Sequence, residues 1–537
     1  MYLKIGTREA EEYYPKTMAN SIHFWYSEDK NNWEALNQNY GILFAKAIIR
    51  DNNTIEERCL IAPAFIKTEK GYGIIAECVD ANDAIVEQGK VLLWLTDDFI
   101  NFEEKGLVER RLVASEIERP VEIIELSEEL GNRIITKWTP ISSVAVELPK
   151  SITIKNWEEL EQIKATVVYS EGSIDRKRIS WDLQSVEKMA EAKWLVRGHI
   201  LAPRYEFPLA SGYADPMIFK WENSWYYVAT NDNKNAIGIY VRKAESIQKL
   251  FDADTEEHCI LDYDEERNLI QTFWAPEFHV IGENVYLLFA VSGKEFNPQS
   301  HIMKLKKDGN ILCKEDWEAP VRVIKKDGAY LAEKGITLDM TYFRVGSKAY
   351  FVWSYRYGIG TKEDTGSMLY IAEINEKEPW KLISDPVLLS RPLYAWENHS
   401  GTINNEGPFA LISGDKIYLF YSGGAAGGYS YVVAYLSANI HDDLLNPDSW
   451  KKVKTPLLSY CSQDRIYGPG HNSFYVDEEG KIWVAYHAQA SPKGGARCTA
   501  INRVQLDNEG VPILNLPAER DLAGQLREVM IEVNMMD

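Results

Sequence analysis

Five stretches of this chain open on a residue that can do acid–base or binding chemistry. Asp215 opens DPMIFKWENSWYYVAT, Trp274 opens WAPEFHVIGENVYLLFA and Asp339 opens DMTYFRVGSKAYFVWS. Glu406 opens EGPFALISGDKIYLFYS and His471 opens HNSFYVDEEGKIWVAYH. Successive openings lie about 59, 65, 67 and 65 residues apart, a period that marks a repeat architecture. Placed radially, such repeats carry all five openings to one mouth. Carboxylates crowded there raise one another's pKa, so one carboxyl keeps its proton while another stays ionised. That pair can protonate a leaving oxygen and activate water, the division of labour that hydrolysis of a glycosidic bond needs. Trp274 offers a ring face for a sugar, and His471 a polar group beside it.

The elements that must position these residues are short strands. Each opening runs into an apolar strand, a tight turn such as Ser413-Gly414-Asp415, and an aromatic strand. A third strand follows at residues 237–241, 368–372 and 431–435, and tryptophan-bearing turns stand at Trp317, Trp380 and Trp450. One small sheet cannot bury both of its faces, but five arranged radially can, leaving only short edges. The expectation is an all-β fold with a five-bladed β-propeller over residues 196–537. The last stretch, with Leu522, Leu526, Val529 and Ile531, fits either a short amphipathic helix or a closing strand.

Residues 1–135 read as a β-rich accessory region. Pro63-Ala64-Phe65-Ile66-Lys67 and Ile74-Ile75-Ala76 flank a turn at Lys70-Gly71 and look like the inner strands of a further blade. An unrelated β-sandwich fits them equally well. Residues 136–195 alternate as exposed antiparallel strands do, with Ala165-Thr166-Val167-Val168-Tyr169 before a turn at Glu171-Gly172. This stretch resembles a small bacterial immunoglobulin-like module, a spacer from which no function follows.

Composition narrows the function classes. The net charge of -21 argues against a nucleic-acid partner, which needs a basic footprint. The 30 Tyr and 16 Trp fill β-cores and also suit stacking on sugar rings. No apolar run is long enough to span a membrane. The six cysteines are scattered without metal-ligand spacing and suit a reducing compartment. The opening Met1-Tyr2-Leu3-Lys4-Ile5-Gly6 leads straight into charged sequence, so the expected location is cytoplasmic. Oligomeric state is not legible.

The motifs together resemble glycoside hydrolase family 43. They are Ala214-Asp215-Pro216 with Trp225-Tyr226-Tyr227, Trp274-Ala275-Pro276-Glu277, and Leu338-Asp339-Met340-Thr341-Tyr342-Phe343. Asn405-Glu406-Gly407-Pro408, Gly468-Pro469-Gly470-His471-Asn472 and Tyr486-His487-Ala488 complete them. The resemblance implies a five-bladed propeller enzyme that inverts anomeric configuration. It implies Asp215 as general base, Glu406 as general acid, and Asp339 as the carboxylate that tunes the acid and holds the sugar. Trp274 would line the sugar subsite, and Arg497 would stand near the acidic cluster. His471 would bind substrate or lie near a structural calcium through bound waters. No cofactor is implied for the chemistry. Met340-Thr341 departs from the small residue or glycine that relatives place after the second aspartate. Trp396-Glu397 is similar to arabinofuranosidase-like branches. The implied function is exo-acting release of α-L-arabinofuranose from plant cell-wall glycans or their oligosaccharides. The alternatives are a β-xylosidase with the same machinery and a non-catalytic carbohydrate-binding propeller. Taken singly, Asp215 is also an ordinary turn aspartate, Asp339 a strand-start residue and Glu406 a loop charge. Glu277 and His279 read as supporting polar groups.

Overall fold

Strands with apolar or aromatic side chains on both faces must be covered on both faces. Ser224–Asn231 and Asn284–Ser292 are buried along nearly their whole length. The computed structural model, which describes residues 1–68, 71–111 and 120–536, meets that demand by packing small sheets face to face. Sheet one comprises Tyr213–Trp221, Ser224–Asn231, Ile239–Ala244 and Glu257–Leu261, each strand antiparallel to the next. Sheet two comprises Gln271–Ile281, Asn284–Ser292, Gln299–Lys304 and Val321–Arg322. Sheet three comprises Ile336–Val345, Lys348–Arg356, Met368–Ile374 and Val387–Ser390. Sheet four comprises Asn405–Ser413, Lys416–Gly423, Val432–Asn439 and Lys451–Lys452. Sheet five is built on Tyr467–Val476, Ile482–Gln489 and Cys498–Leu506.

Each pair of neighbouring sheets shares a core. Val228 and Phe289 meet between sheets one and two, and Leu288 and Phe351 between two and three. Leu369 and Leu419 meet between three and four, and Phe420 and Val484 between four and five. Tyr227 and Ala485 then join sheet five back to sheet one. The first strands lie against one another in the same cyclic order. Ala210–Ser211, just ahead of sheet one, pairs with Thr499 and Cys498 on sheet five and ties the two ends of the succession together. Two of the tryptophan turns have a simple cause, whereas Trp380 is exposed. Trp317 and Trp450 are buried, and each indole N–H donates at 3.0 Å to a carbonyl of its own loop, Ile311 and Leu444.

The N-terminal region is bound to this assembly. Cys59–Thr68, Gly71–Val79, Lys90–Thr96 and Glu103–Glu109 form a four-stranded sheet in the same simple order as the repeats. Lys70, expected in its first turn, lies outside the described residues. A second sheet, containing Tyr2–Gly6 and His23–Ser27, shares its core through Leu3, Phe24, Phe65 and Trp94. Tyr14, Met18, Tyr40 and Phe44 pack into the core of sheet four beside Tyr394, Trp396 and Tyr421. The helix Glu128–Trp138 stands among these strands; Ser127 caps it by accepting from the Leu130 N–H.

The alternating stretch forms strands Ser143–Glu147, Lys164–Tyr169, Ile174–Trp181 and Lys193–Ile200 in one sheet. The end of the chain is a strand, Glu528–Met535, with Ile531 and Val533 buried at alternate positions. It joins this sheet between Lys193–Ile200 and Ser151–Ile154, not the five repeats. Among the described residues no helix is long and apolar enough to cross a membrane.

Candidate active site

At the head of each first strand a residue at an equivalent position enters the left-handed region of backbone space, joined by Thr272 in sheet two and Gly468 in sheet five. The equivalent residues are Asp215 (φ 52°), Ala275 (46°), Asp339 (54°), Gly407 (57°) and His471 (50°). Around each of them the strand register shifts. A non-glycine residue holds that conformation only where its surroundings impose it. The recurrence makes it a repeated bulge, a device that re-aims side chains at a sheet end. The five openings therefore fall into two registers. Asp215, Asp339 and His471 occupy the left-handed position, while Trp274 and Glu406 stand one residue ahead of it.

Asp215 is 8% exposed and closely surrounded. The Thr230 hydroxyl donates to its Oδ2 at 2.6 Å, and that same hydroxyl accepts from the Ala275 N–H at 2.8 Å. Its Oδ1 lies 3.2 Å from His471 Nδ1, 3.2 Å from His487 Nδ1 and 3.6 Å from Arg497 Nη1. Burial opposes charge on this carboxyl, but His471, Arg497 and His487 outweigh it and hold it well below the usual carboxylate range. His471 is itself pushed down to about 4 by burial, so it is neutral near pH 7. His487 places Nε2 2.9 Å from the Ala426 carbonyl and Nδ1 3.2 Å from the Asp215 amide nitrogen. Arg497 is thus the permanent cation facing Asp215.

Glu406 and Asp339 titrate in the opposite direction. Burial, joined by the negative charge of Asp215, raises Glu406 to about 7, although Tyr431 and Arg356 pull the other way. The Tyr431 hydroxyl donates to Glu406 Oε1 at 3.0 Å. Asp339 is 4% exposed; burial and then the charges of Glu406 and Asp215 push it well above the usual range. Its Oδ2 accepts from the Gly407 N–H at 3.0 Å, so it is tied to the residue that follows Glu406. Gly407 is required there, because a Cβ would meet the His471 ring at 3.1 Å and φ is left-handed.

The six candidate residues converge to different degrees. Asp215, His471 and Arg497 meet directly. Asp339 and Glu406 join them through mutual charge and the Gly407 amide. Trp274 is half-buried at the head of sheet two, coupled to Asp215 through Ala275 and Thr230. Glu277 and His279 form a separate buried pair, 2.7 Å apart. Trp396 and Glu397 are buried rather than presented to solvent. Glu397 accepts from Asn405 Nδ2 at 2.7 Å and pairs with Lys452 at 2.5 Å, which fixes the strand start ahead of Glu406. A cavity of about 920 Å³ lies away from the carboxylates, between Tyr205, Trp483 and Arg520.

Thr230, Tyr431, His487 and Arg356 were not singled out as site residues from sequence. Tyr431 stacks on His487 (centroids 5.2 Å, planes 15° apart) and so links the Glu406 side of the cluster to the Asp215 side. Arg356 is held by Asp364 at 2.7 and 2.8 Å and by Asn404 at 2.9 Å. His487 stands in the Tyr486-His487-Ala488 motif, and for the others the sequence signal was the aromatic second strand. A calcium ligated directly by side chains does not fit here. Among the described residues no three His, Cys, Asp or Glu side chains converge to hold a metal ion.

Residues 205–512, more than half of the chain, match the model of Glycosyl hydrolases family 43. A relative from Streptomyces avermitilis, named extracellular exo-α-(1→5)-L-arabinofuranosidase, is 29% identical over 58% of this chain and 63% of its own length. One of the same name from Streptomyces chartreusis is 31% identical over 54% of this chain and 84% of its own length. The crystal structure of an α-L-arabinofuranosidase from Lactobacillus brevis aligns at TM-score 0.51 and 27% identity over 58% of this chain and 97% of that one. The chain thus spans under two thirds of the first of these relatives. The cytoplasmic expectation does not stand, because both Streptomyces relatives are named extracellular. Its cysteine argument also fails physically. Burial pushes the thiols of Cys59, Cys78 and Cys461 up to about 12, 11 and 11, and such thiols are inert in either redox setting. The match runs from just before sheet one into sheet five, across every residue of the carboxylate cluster, and the chain belongs to glycosyl hydrolases family 43.

Proposed function

We propose that the protein is an inverting, exo-acting α-L-arabinofuranosidase on arabinan- or arabinoxylan-derived glycans of plant cell walls. The observation that carries this reading is the opposed titration of two carboxyls in one cluster. Asp215 is held ionised and Glu406 is raised to about 7. The names of the Streptomyces relatives support the choice of sugar and an extracellular setting.

In this mechanism Asp215 takes a proton from a water as that water attacks the anomeric carbon. Glu406 delivers its proton to the leaving oxygen on the opposite face. Attack and departure on opposite faces invert the configuration, and no cofactor is needed. Tyr431 occupies Glu406 Oε1 as a donor, which leaves Oε2 to carry the proton. Burial and the negative charge of Asp215 keep Glu406 protonated, and Asp339 holds its backbone through Gly407. Trp274 supplies a ring face to the sugar. A calcium held through water beside His471 is supported by Asn472, whose buried amide has no protein partner; no step depends on it.

The architecture that fits is a five-bladed propeller, one blade per sheet, supported by the cyclic packing of the first strands. Residues 1–135 form its accessory region and residues 136–195 the immunoglobulin-like module. Residues 196–537 form the catalytic domain, whose last strand Glu528–Met535 is lent to the module's sheet.

The test is hydrolysis of 4-nitrophenyl α-L-arabinofuranoside and 4-nitrophenyl β-D-xylopyranoside, with the first-formed anomer followed by NMR. Release of arabinose as the β-anomer first supports the reading. Release of xylose instead overturns the sugar, and α-arabinose first overturns the inverting mechanism.

A further inference from the structure

A segment outside the family match reaches the mouth of the site. The second strands end beside the heads of the first, with Glu406 opposite Ser422 and Gly470 opposite His487. The loops that follow them, 424–431 and 490–497, therefore rim the mouth. The first carries Tyr431, which contacts Glu406, and the second ends at Arg497, which faces Asp215. Against this rim lies Tyr13, whose ring meets Tyr429 edge-on with centroids 5.1 Å apart. Tyr429 in turn meets Tyr460 at 5.5 Å. Between the N-terminal segment and the rim is a cavity of about 610 Å³, lined by Arg8, Glu12 and Tyr13 on one side and Tyr460, Tyr467 and Pro492 on the other. Tyr467 opens the strand that carries His471.

The cavity has the chemistry of a saccharide site. Its volume falls within the roughly 300–1,000 Å³ of ligand pockets. The half-buried tyrosines give ring faces for the C–H faces of sugars, with polar tips for hydroxyl groups. Charges of both signs are present, and Arg8 is already paired with Glu11 at 2.5 Å, so the lining suits a neutral glycan and not an anionic ligand. The platform is rigid. The Tyr14 hydroxyl accepts from the Gly41 N–H at 2.9 Å, and Gln38 Nε2 donates to the Ser462 carbonyl at 3.1 Å.

We propose that this cavity is a leaving-group subsite, in which Tyr13 and the mouth tyrosines hold the pentose units beyond the scissile bond of an oligosaccharide. The proposal rests on the glycosidase reading. It makes the N-terminal region a determinant of chain-length preference. Binding energy gained there from non-reacting sugars is realised in the transition state, so it appears in kcat/KM for oligosaccharides and not for aryl glycosides.

The experiment compares wild type, Tyr13→Ala and Tyr13→Phe on 4-nitrophenyl α-L-arabinofuranoside and on α-(1→5)-linked arabinotriose. The expected result is a loss of about tenfold in kcat/KM on the trisaccharide for Tyr13→Ala, with the aryl glycoside unchanged and Tyr13→Phe near wild type. Equal losses on both substrates would assign Tyr13 to packing alone, and no loss on either would remove it from the site; both overturn the proposal. A wild type that cleaves only the aryl xyloside sinks the sugar assignment, and the same ratio is then read on xylotriose. A wild type silent on both sinks the glycosidase reading. The cavity is then judged by calorimetric binding of arabino-oligosaccharides, where binding weakened by Tyr13→Ala supports it, and equal or absent binding overturns it.

Discussion

Arg497 stands 3.6 Å from Asp215 while Asp232 grips its guanidinium in two charge-assisted bonds of 2.7 and 2.9 Å. The grip matters because a planar, always-charged group fixed in place sets the field at Asp215 at every working pH. His471, pushed down to about 4 by burial, is neutral at pH 7 and cannot replace it.

Removing Arg497 therefore leaves burial opposed only by His471 and His487, and raises the pKa of Asp215. Arg497→Ala moves the acidic limb of the kcat/KM profile upward by about one pH unit or more, with a lower plateau. Arg497→Lys falls between the two, because an ammonium keeps the charge but loses the two-pronged bond to Asp232. A profile of Arg497→Ala with an unmoved acidic limb sinks the electrostatic role.

The alkaline limb belongs to Glu406. An acid that must be protonated loses activity as pH rises through its pKa, so kcat/KM falls about tenfold per pH unit above roughly 7. Glu406→Gln abolishes that limb. It costs about 10²–10⁴-fold on arabino-oligosaccharides and far less on a 4-nitrophenyl glycoside, whose leaving group needs little protonation. Asp215→Asn loses activity on both substrates alike. If Glu406→Gln harms both equally, Glu406 is not the proton donor.

Much of this site was legible, and the illegible part has a physical reason. Asp215, Glu406 and His471 each begin an apolar strand beside Pro or Gly, and the repeat carries them to one end. Their two registers were not legible, because left-handed dihedrals at Asp215, Asp339 and His471 are imposed by packing and leave no residue-type signature. Thr230, Tyr431 and His487 come from second strands or the loops after them, where any polar residue among aromatics looks alike until the sheets are assembled. Helix Glu128–Trp138 did carry a signal. Ser127 is followed by Glu128-Glu129 and by Leu130, Ile134 and Trp138 at helical spacing. The end of the chain was ambiguous because Leu522 and Leu526 are four apart, whereas the buried pair that decides the strand, Ile531 and Val533, is two apart.

Thr230 orients without reacting. Its hydroxyl receives from Ala275 and gives to Asp215, so one side chain fixes both the base and the backbone beside Trp274. Thr230→Val keeps the shape and removes both bonds. The expected outcome is a kcat reduced about tenfold or more, with KM changed little, and recovery in Thr230→Ser. A change in KM alone, or no recovery with serine, would falsify this role.

The raised pKa of Glu406 also sets a stability trend. Unfolded, this carboxyl ionises near pH 4.3; folded, it holds its proton to about 7. Between those values the folded state binds more protons, so stability falls as pH rises through the window. Glu406→Gln removes the penalty. Its first unfolding transition should lie about 1–3 °C above wild type at pH 8 and level with it at pH 4. A gain of equal size at both pH values would point to packing instead.

A second charged cluster does structural work far from the mouth. Lys177, on the strand Ile174–Trp181, sits 2.8 Å from Asp521 and 3.0 Å from Asp175, with all three side chains at most 6% exposed. Asp175 also faces Lys481 and Arg503 of the sheet-five region, so this buried network fastens the 143–200 sheet to the end of the repeats. Lys177→Met leaves Asp521 buried with Tyr169 as its remaining donor at 2.5 Å. Breaking one partner of a buried pair costs about 3–5 kcal/mol, whereas replacing both with apolar groups is often neutral. Urea unfolding should therefore show a strongly destabilised Lys177→Met and a Lys177→Met/Asp521→Leu double variant that recovers most of the loss. Both should keep wild-type kcat/KM on the aryl glycoside below their transitions. If the double variant is as unstable as the two single changes summed, Lys177 and Asp521 do not act as a pair, and the fastening must lie in the apolar contacts around Tyr169 and Leu522.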